Sequence, residues 1–121
     1  MQLAKVIAHL ADEKKAEDIV VLDMRPWVNF CDYFVICTGT SARQVRAIAD
    51  GIDQGLTEFG HPVRHKQGLN ALGGRDQSEI VGAWVLLDMG DVVVHLFESQ
   101  ARGFYELEYL WNDAQKVNWK R

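Results

Sequence analysis

The positions of hydrophobic residues along the 121-residue chain follow two periods, which predict its helices and strands. Apolar residues at spacings of three and four are typical of amphipathic helices, and they occur over 3–11, 45–59 and about 100–114. Short apolar runs rich in β-branched residues are typical of buried strands, and they occur over 18–23, 33–38, 84–89 and 92–97. The predicted order is α-β-β-α-β-β-α, in a single layered α/β (α+β) domain over 1–121 with a mixed sheet and helices mainly on one face.

The strongest local pattern is the pair of strands joined by Gly90-Asp91, a sequence suited to a two-residue hairpin turn. This turn pairs Met89 with Val92, and side chains alternate between the two faces from there. We call the wholly apolar set the helix-covered face: Val85, Leu87, Met89, Val92, Val94 and Leu96. We call the other set the mixed face: Trp84, Leu86, Asp88, Val93, His95 and Phe97. The mixed face is either covered by the last helix or offered to a partner, and we predict that it is a partner-binding surface.

The segment over 61–82 has no clear periodicity, and Gly68, Gly73 and Gly74 favour a long irregular loop. Loops of this length are often functional or disordered, and both alternatives stay open. A basic cluster within it is either a solvated loop or a local binding patch: Arg64, His65, Lys66 and, further on, Arg75.

Motifs for catalysis are weak. Gly39-Thr40-Ser41 turns a strand into a helix, as phosphate-holding turns do, but Ser41 with Gln44 also fits an ordinary capping box. Asp88 and Asp91 flank the hairpin turn and do not alternate along one strand, as a pair of Mg²⁺ ligands would. The four histidines show no metal-ligand spacing. We therefore predict no catalytic residues, no metal and no cofactor.

The net charge of the chain indicates which kind of partner to expect. Proteins that grip nucleic acid through its phosphates are usually basic, whereas this chain has a formal net charge of −4. We expect no binding to free nucleic acid, and binding to a nucleoprotein particle mainly through its protein. The two cysteines, Cys31 and Cys37, are predicted to be buried core residues. Because a secreted domain of this size usually has more cysteines, we expect the protein to be in a reducing compartment. There is no predicted membrane span or secretory signal, so a cytoplasmic location is expected.

Five blocks between residues 18 and 111 together resemble the ribosomal silencing factor (Iojap) family. They are Asp18–Asp23 (DIVVLD), Asp32–Ser41 (DYFVICTGTS), Arg43–Asp50 (RQVRAIAD), the hairpin Trp84–Phe97 and Arg102–Trp111. The resemblance implies a nucleotidyltransferase-like fold without catalysis and a tendency to dimerise. It also implies binding to the large ribosomal subunit through ribosomal protein uL-fourteen, which blocks joining of the small subunit when nutrients are short.

Two departures from the family pattern concern the predicted loop. Gln67-Gly68 stands where the family usually has Glu-Gly, and the stretch from Gln67 to Trp84 is longer than usual. Two other functions compete with silencing: a large-subunit assembly factor that binds the same ribosomal protein, and an enzyme related to nucleotidyltransferases.

Overall fold

The computed structural model describes residues 2–68, 84–99 and 114–120 of the chain. Within these ranges there are two helices and six strands: α1 Gln2–Glu13, β1 Glu17–Asp23, β2 Tyr33–Gly39, α2 Ala42–Glu58, β3 His65–Gln67, β4 Trp84–Asp88, β5 Val92–Glu98 and β6 Gln115–Lys116. The strands form one sheet in the order β3-β4-β5-β2-β1-β6. Only β2 and β5 are parallel among these paired strands, so the sheet is mixed, as predicted.

The hairpin has the predicted register. Asp88 pairs with Val93 and Trp84 with Phe97, and the Met89 N–H donates to the Val92 carbonyl at 3.0 Å. Gly90 has a φ of 90°, a value that glycine adopts at no steric cost. The alternation of side chains therefore separates the two faces as the sequence predicts.

Both helices pack on the helix-covered face, and together they form the first core. All six strand residues predicted for this face belong to it and are buried. The helices contribute apolar residues at the predicted spacing: Ile7 and Ala11 from α1, and Val45, Ile48, Ile52 and Leu56 from α2. The prediction of helices mainly on one face is confirmed for α1 and α2.

The start of α2 depends on a cap whose predicted form is largely correct. The Ser41 hydroxyl accepts a hydrogen bond from the Gln44 N–H at 3.1 Å. The reciprocal bond differs from a standard capping box, because the Gln44 side-chain oxygen accepts from the Thr40 N–H at 2.6 Å. Gly39 is required for space, since a Cβ there would lie 2.7 Å from a methyl carbon of Val45.

The structure differs from the prediction at two short strands. The predicted loop over 61–82 is not irregular throughout, because His65–Gln67 forms β3 against β4, while 69–82 lies outside the described residues. Gln115–Lys116 forms β6 on β1. Neither strand has the alternating apolar pattern that marks a half-buried strand. The predicted last helix falls almost wholly on 100–113, which are also outside the described residues.

Candidate interaction surface

The register of β4 and β5 places all six predicted site residues on one face. Trp84 lies opposite Phe97, Leu86 opposite His95, and Asp88 opposite Val93. The neighbouring strand continues this face, because Phe34 of β2 pairs with Val93 of β5. The mixed face is therefore a real surface of the sheet and extends beyond the hairpin.

Burial divides the mixed face along the hairpin. The β5 residues Val93, His95 and Phe97 are buried, with Phe97 0% and His95 5% exposed. The β4 residues Trp84, Leu86 and Asp88 are only half-buried. The partner-binding role of all six stays a prediction, and the part of the face that is accessible for it lies along β4.

The physical reason is the position of β5 in the sheet. It lies between β4 and β2, where a second hydrophobic core covers the mixed face. This second core includes residues that the sequence pattern did not place there, among them Met24, Cys31 and Ala114. Alternation predicts the face to which a side chain points, but it does not predict what lies above that face.

His95 contacts the half-buried indole of Trp84 from the interior side of the mixed face. The Trp84 Nε1–H donates to His95 Nδ1 at 3.2 Å, and the Trp84 ring lies 5.1 Å from that of Phe97, centroid to centroid. Phe34 contacts the imidazole edge-on at 4.5 Å. The indole of Trp84 is thus oriented by its hydrogen bond to His95 and by aromatic contacts, while part of the side chain remains accessible.

The surroundings of His95 favour its neutral form. Burial lowers its pKa from 6.5 to about 4, because the charged imidazolium loses solvation. Since Nδ1 accepts the indole proton, the imidazole proton is on Nε2, which has no hydrogen-bond partner among the described residues. His95 therefore acts as a neutral acceptor that positions Trp84.

Asp88 has a structural role in the hairpin turn. Its Oδ1 accepts the Gly90 N–H at 2.7 Å, and its backbone carbonyl accepts the Arg64 N–H at 2.8 Å. Its carboxylate is half-buried at the edge of the mixed face. A substitution at Asp88 therefore changes both the turn and the surface charge, which matters for any test of binding.

Sequence reasoning missed β3 as part of this surface. His65 pairs with Asp88 and Gln67 with Leu86, so both point to the mixed face, and both are exposed. Lys66 points to the other side, where its ammonium group forms a salt bridge with Asp53 of α2. We call the accessible set the β3–β4 surface: His65, Gln67, Trp84, Leu86 and Asp88.

The groups considered for catalysis have structural partners. The backbone N–H groups of Thr40 and Gln44 are bonded to side chains of the cap, which favours the ordinary capped turn over a phosphate-holding one. The Arg25 guanidinium, 2.7 Å from the Asp23 carboxylate, lowers the pKa of that carboxyl. Within 2–68, 84–99 and 114–120, no group of three or more His, Cys, Asp or Glu residues is arranged to hold a metal.

The cysteines are core residues, as predicted. Cys31 and Cys37 are both free and buried, on opposite faces of the sheet. Burial raises the pKa of the Cys31 thiol to about 11, so this thiol is far from the thiolate form that a reactive cysteine needs. Neither of the two described helices is long and apolar enough to cross a membrane.

Comparison with known proteins decides the family. A family model described as ribosomal silencing factor during starvation matches residues 1–121. The chain belongs to the ribosomal silencing factor family. Ribosomal silencing factor RsfS of Bacillus subtilis is 42% identical over 112 residues, which cover 93% of this chain and 86% of that protein. The family predicted from the five sequence blocks is therefore confirmed.

Two further relatives of this silencing factor family bear on fold and on function. The crystal structure of a Chromobacterium violaceum protein matches with a TM-score of 0.81 at 31% identity, covering 97% of this chain and 88% of that one. A mouse protein named mitochondrial assembly of ribosomal large subunit protein 1 is 30% identical over 106 residues, 88% of this chain and 43% of that protein. The first likeness confirms the α/β fold.

Proposed function

We propose that this silencing factor binds the large ribosomal subunit in the cytoplasm through ribosomal protein uL-fourteen, under nutrient limitation. A protein docked on the subunit-facing side of the large subunit occupies space that the small subunit needs. Subunit joining is then blocked by steric exclusion alone. The mechanism needs a stable interface and no catalytic step, metal or cofactor.

The observation that carries the proposal is the β3–β4 surface. Trp84 is half-exposed, yet His95 and Phe97 hold its indole in one orientation. A fixed aromatic side chain loses little conformational freedom when a partner covers it, and Trp is enriched among residues that dominate binding energy. Leu86 adds apolar area beside it on the same strand. We propose Trp84 as the central anchor, with Leu86 and Asp88 around it.

The charge of the chain supports a protein partner that is basic. The net charge is −4, and Asp88 contributes a carboxylate to the β3–β4 surface itself. Ribosomal proteins contact RNA and are usually basic, so complementary charge would speed association. Among the five residues that define this surface, Asp88 is the one Asp, Glu, Lys or Arg residue.

The test is binding to separated ribosomal subunits, followed by a subunit-joining assay. We expect the purified chain to sediment with large subunits only and to reduce formation of whole ribosomes when added before small subunits. Leu86→Ser should weaken both effects, because it removes apolar area from the β3–β4 surface. Leu3→Ser is the matched control, since Leu3 is also half-buried but packs on the helix side of the first core. Equal binding to both subunits, or equal effects of the two variants, would contradict the proposal.

A second candidate function is assembly of the large subunit, which the name of the mouse relative favours. Binding to the same ribosomal protein would serve either role. Ribosome profiles of a strain that lacks the gene distinguish the assembly role from the silencing role. Accumulated large-subunit precursors in growing cells favour assembly, whereas continued translation during starvation favours silencing.

A further inference from the structure

The basic cluster that the sequence shows beside the hairpin is divided by the fold. Lys66 points away from the mixed face, and its ammonium group forms a salt bridge with Asp53 of α2. Arg64 lies just before β3 and is exposed. The described segments 61–68 and 84–99 contain these two Lys or Arg residues and no others. With Lys66 neutralised, Arg64 is the cation of these segments that is left for another molecule.

The backbone of Arg64 fixes its position at one end of the β3–β4 surface. The Arg64 N–H donates to the Asp88 carbonyl at 2.8 Å, and the next residue, His65, pairs with Asp88. The proposed anchor Trp84 lies at the other end of β4, about 13 Å away at the rise of an extended strand. A partner that covers β4 from Trp84 to Asp88 therefore has Arg64 at its border.

The guanidinium group of Arg64 packs against the hairpin turn. A Cβ atom at Gly90 would lie 3.0 Å from Nη1 and 3.3 Å from Cζ of Arg64, so the absence of a side chain there makes room for the guanidinium. The group lies at the end of the sheet, beside the β3–β4 surface and not within it. An arginine that is already packed loses less conformational freedom when a ligand binds it.

The hydrogen-bond donors of this guanidinium are free. Arg64 forms no ion pair and no side-chain hydrogen bond with any residue in the described part of the chain. Arg25 provides the contrast, because its guanidinium makes two hydrogen bonds to the Asp23 carboxylate. Arginine keeps its charge and presents a planar fork of donors, which matches the two oxygens of a carboxylate or a phosphate. The ligand of Arg64 is therefore an anion.

From these contacts we infer that Arg64 binds a backbone phosphate of ribosomal RNA, next to the ribosomal protein that covers the β3–β4 surface. The inference rests on the proposed function and adds an RNA contact to it. A basic ribosomal protein offers few carboxylates, whereas phosphates surround it on the subunit. Contacts to phosphate set the orientation of a bound protein and carry no sequence information. One such contact is too weak to hold free RNA, in agreement with the net charge of −4.

The test is the salt dependence of binding to purified large subunits. We expect Arg64→Gln to bind about tenfold more weakly at low salt, since it loses one charged hydrogen-bonding contact. The slope of log affinity against log salt concentration should fall by about one, the change expected for one phosphate contact. Arg64→Lys keeps the charge and should keep the wild-type slope. If Arg64→Lys has the reduced slope of Arg64→Gln, the inference is overturned.

A matched control removes the same charge elsewhere. Arg43 is exposed in the first turn of α2, on the opposite side of the sheet from the mixed face, so Arg43→Gln should bind with the affinity and slope of wild type. Binding to isolated ribosomal protein uL-fourteen, without RNA, identifies the anion. Arg64→Gln should bind this protein as tightly as wild type does. An equal loss there would assign the anion to a carboxylate of the protein and overturn the RNA contact.

Failure of the inference is distinguishable from failure of the proposed function. If wild type does not bind large subunits, both fail. If Leu86→Ser weakens binding while Arg64→Gln and Arg43→Gln behave alike, only the inference fails. Urea unfolding of Arg64→Gln should match that of wild type, because the guanidinium is exposed and makes no bond within the described residues.

Discussion

The two faces of the central sheet are built from alternate residues of the same strands, yet they are organised differently. The helix-covered face holds only apolar residues of β4 and β5, all buried under α1 and α2. The mixed face contains two aromatic rings and an imidazole, and it is buried along β5 but partly accessible along β4. Neighbouring positions therefore differ in environment: one face is wholly buried in a core, and the other leaves part of its surface accessible along β4.

The largest expected effect is a difference in stability between substitutions at Leu86 and Leu87, two neighbouring leucines on opposite faces. Leu87 is fully buried in the first core, so Leu87→Ala should lower the free energy of unfolding by about 2–5 kcal/mol. Leu86→Ala should cost less stability, because Leu86 is half-exposed, and should instead weaken ribosome binding. Urea unfolding of both variants measures the loss of stability, and binding to large subunits measures the loss of affinity. Equal losses of stability would show that the two faces do not differ as described.

The next effect concerns the imidazole that only the mixed face contains. The pKa of His95 is lowered from 6.5 to about 4 in the folded chain, so the folded state favours neutral His95 more than the unfolded state does. Its contribution to stability is fully present above pH 6.5 and is lost as the pH falls toward 4. The loss across this window is on the order of 3 kcal/mol.

A comparison of variants isolates this contribution from the carboxyl groups that titrate in the same range. His95→Gln removes the titration and keeps an acceptor for the Trp84 indole, so its unfolding free energy should depend less on pH than that of wild type. His65→Gln makes the same substitution at an exposed position and is the matched control for the change of side chain. Parallel curves for wild type and His95→Gln would contradict the assignment of a buried, neutral His95.

Trp84 gives a smaller effect that tests recognition directly. We expect Trp84→Ala to weaken binding to the large subunit by about 2 kcal/mol or more, the usual size of an interface anchor. Because Trp84 also packs on Phe97, this variant loses some stability as well. Trp84→Phe keeps most of the packing and loses the hydrogen bond to His95, so it should recover part of the binding. If Trp84→Ala binds as tightly as wild type, Trp84 is not the anchor of the interface.

Asp88→Asn should change mainly the rate of association. An asparagine oxygen still accepts the Gly90 N–H, so the hairpin turn is kept while the charge is removed. We expect slower association with a weaker dependence on salt, by less than tenfold. Asp12→Asn, at the exposed end of α1, is the control of equal charge. Identical association rates for the two variants would indicate that charge at the mixed face does not steer the partner.

The last prediction is the absence of an effect. We expect calorimetry to detect no binding of a Mg²⁺-nucleotide at micromolar affinity. The Thr40 N–H just before α2 donates to the Gln44 side chain, and the Gln44 N–H donates to the Ser41 hydroxyl. The Asp23 and Asp88 carboxylates also have partners. Stoichiometric binding would contradict this prediction and would favour the enzyme alternative.

The sequence predicted the parts of the fold whose cause is local. The hairpin register follows from Gly90-Asp91, the start of α2 from Ser41 with Gln44, and both helices from one apolar stripe each. The strand β3 could not be predicted in this way, because its three residues are all exposed and polar. Its pairing with β4 is a tertiary contact that overrides local pattern.

The sequence predicts which side chains share the face of the candidate site, but it does not predict which of them are accessible. Alternation grouped Trp84 with His95 and Phe97 correctly, since side-chain direction depends only on neighbours along the strand. Burial of Phe97 depends on a second core that also contains Met24 and Cys31, two residues from another segment of the chain. Equally, the Phe30 ring lies 6.3 Å from the ring of Phe34 on β2, a relation that no spacing in the sequence displays.

The sheet edge at β1 has a consequence for aggregation. Only two residues of β6 pair with the seven-residue β1, and the Val117 N–H and the Trp119 indole N–H add bonds to the Val21 and Ile19 carbonyls. If heat or a protease detaches this short segment, Ile19-Val20-Val21 becomes an open apolar edge onto which another chain can add a strand. A covalent link that keeps the segment in place would therefore be expected to extend the shelf life of the purified protein more than further packing of its cores.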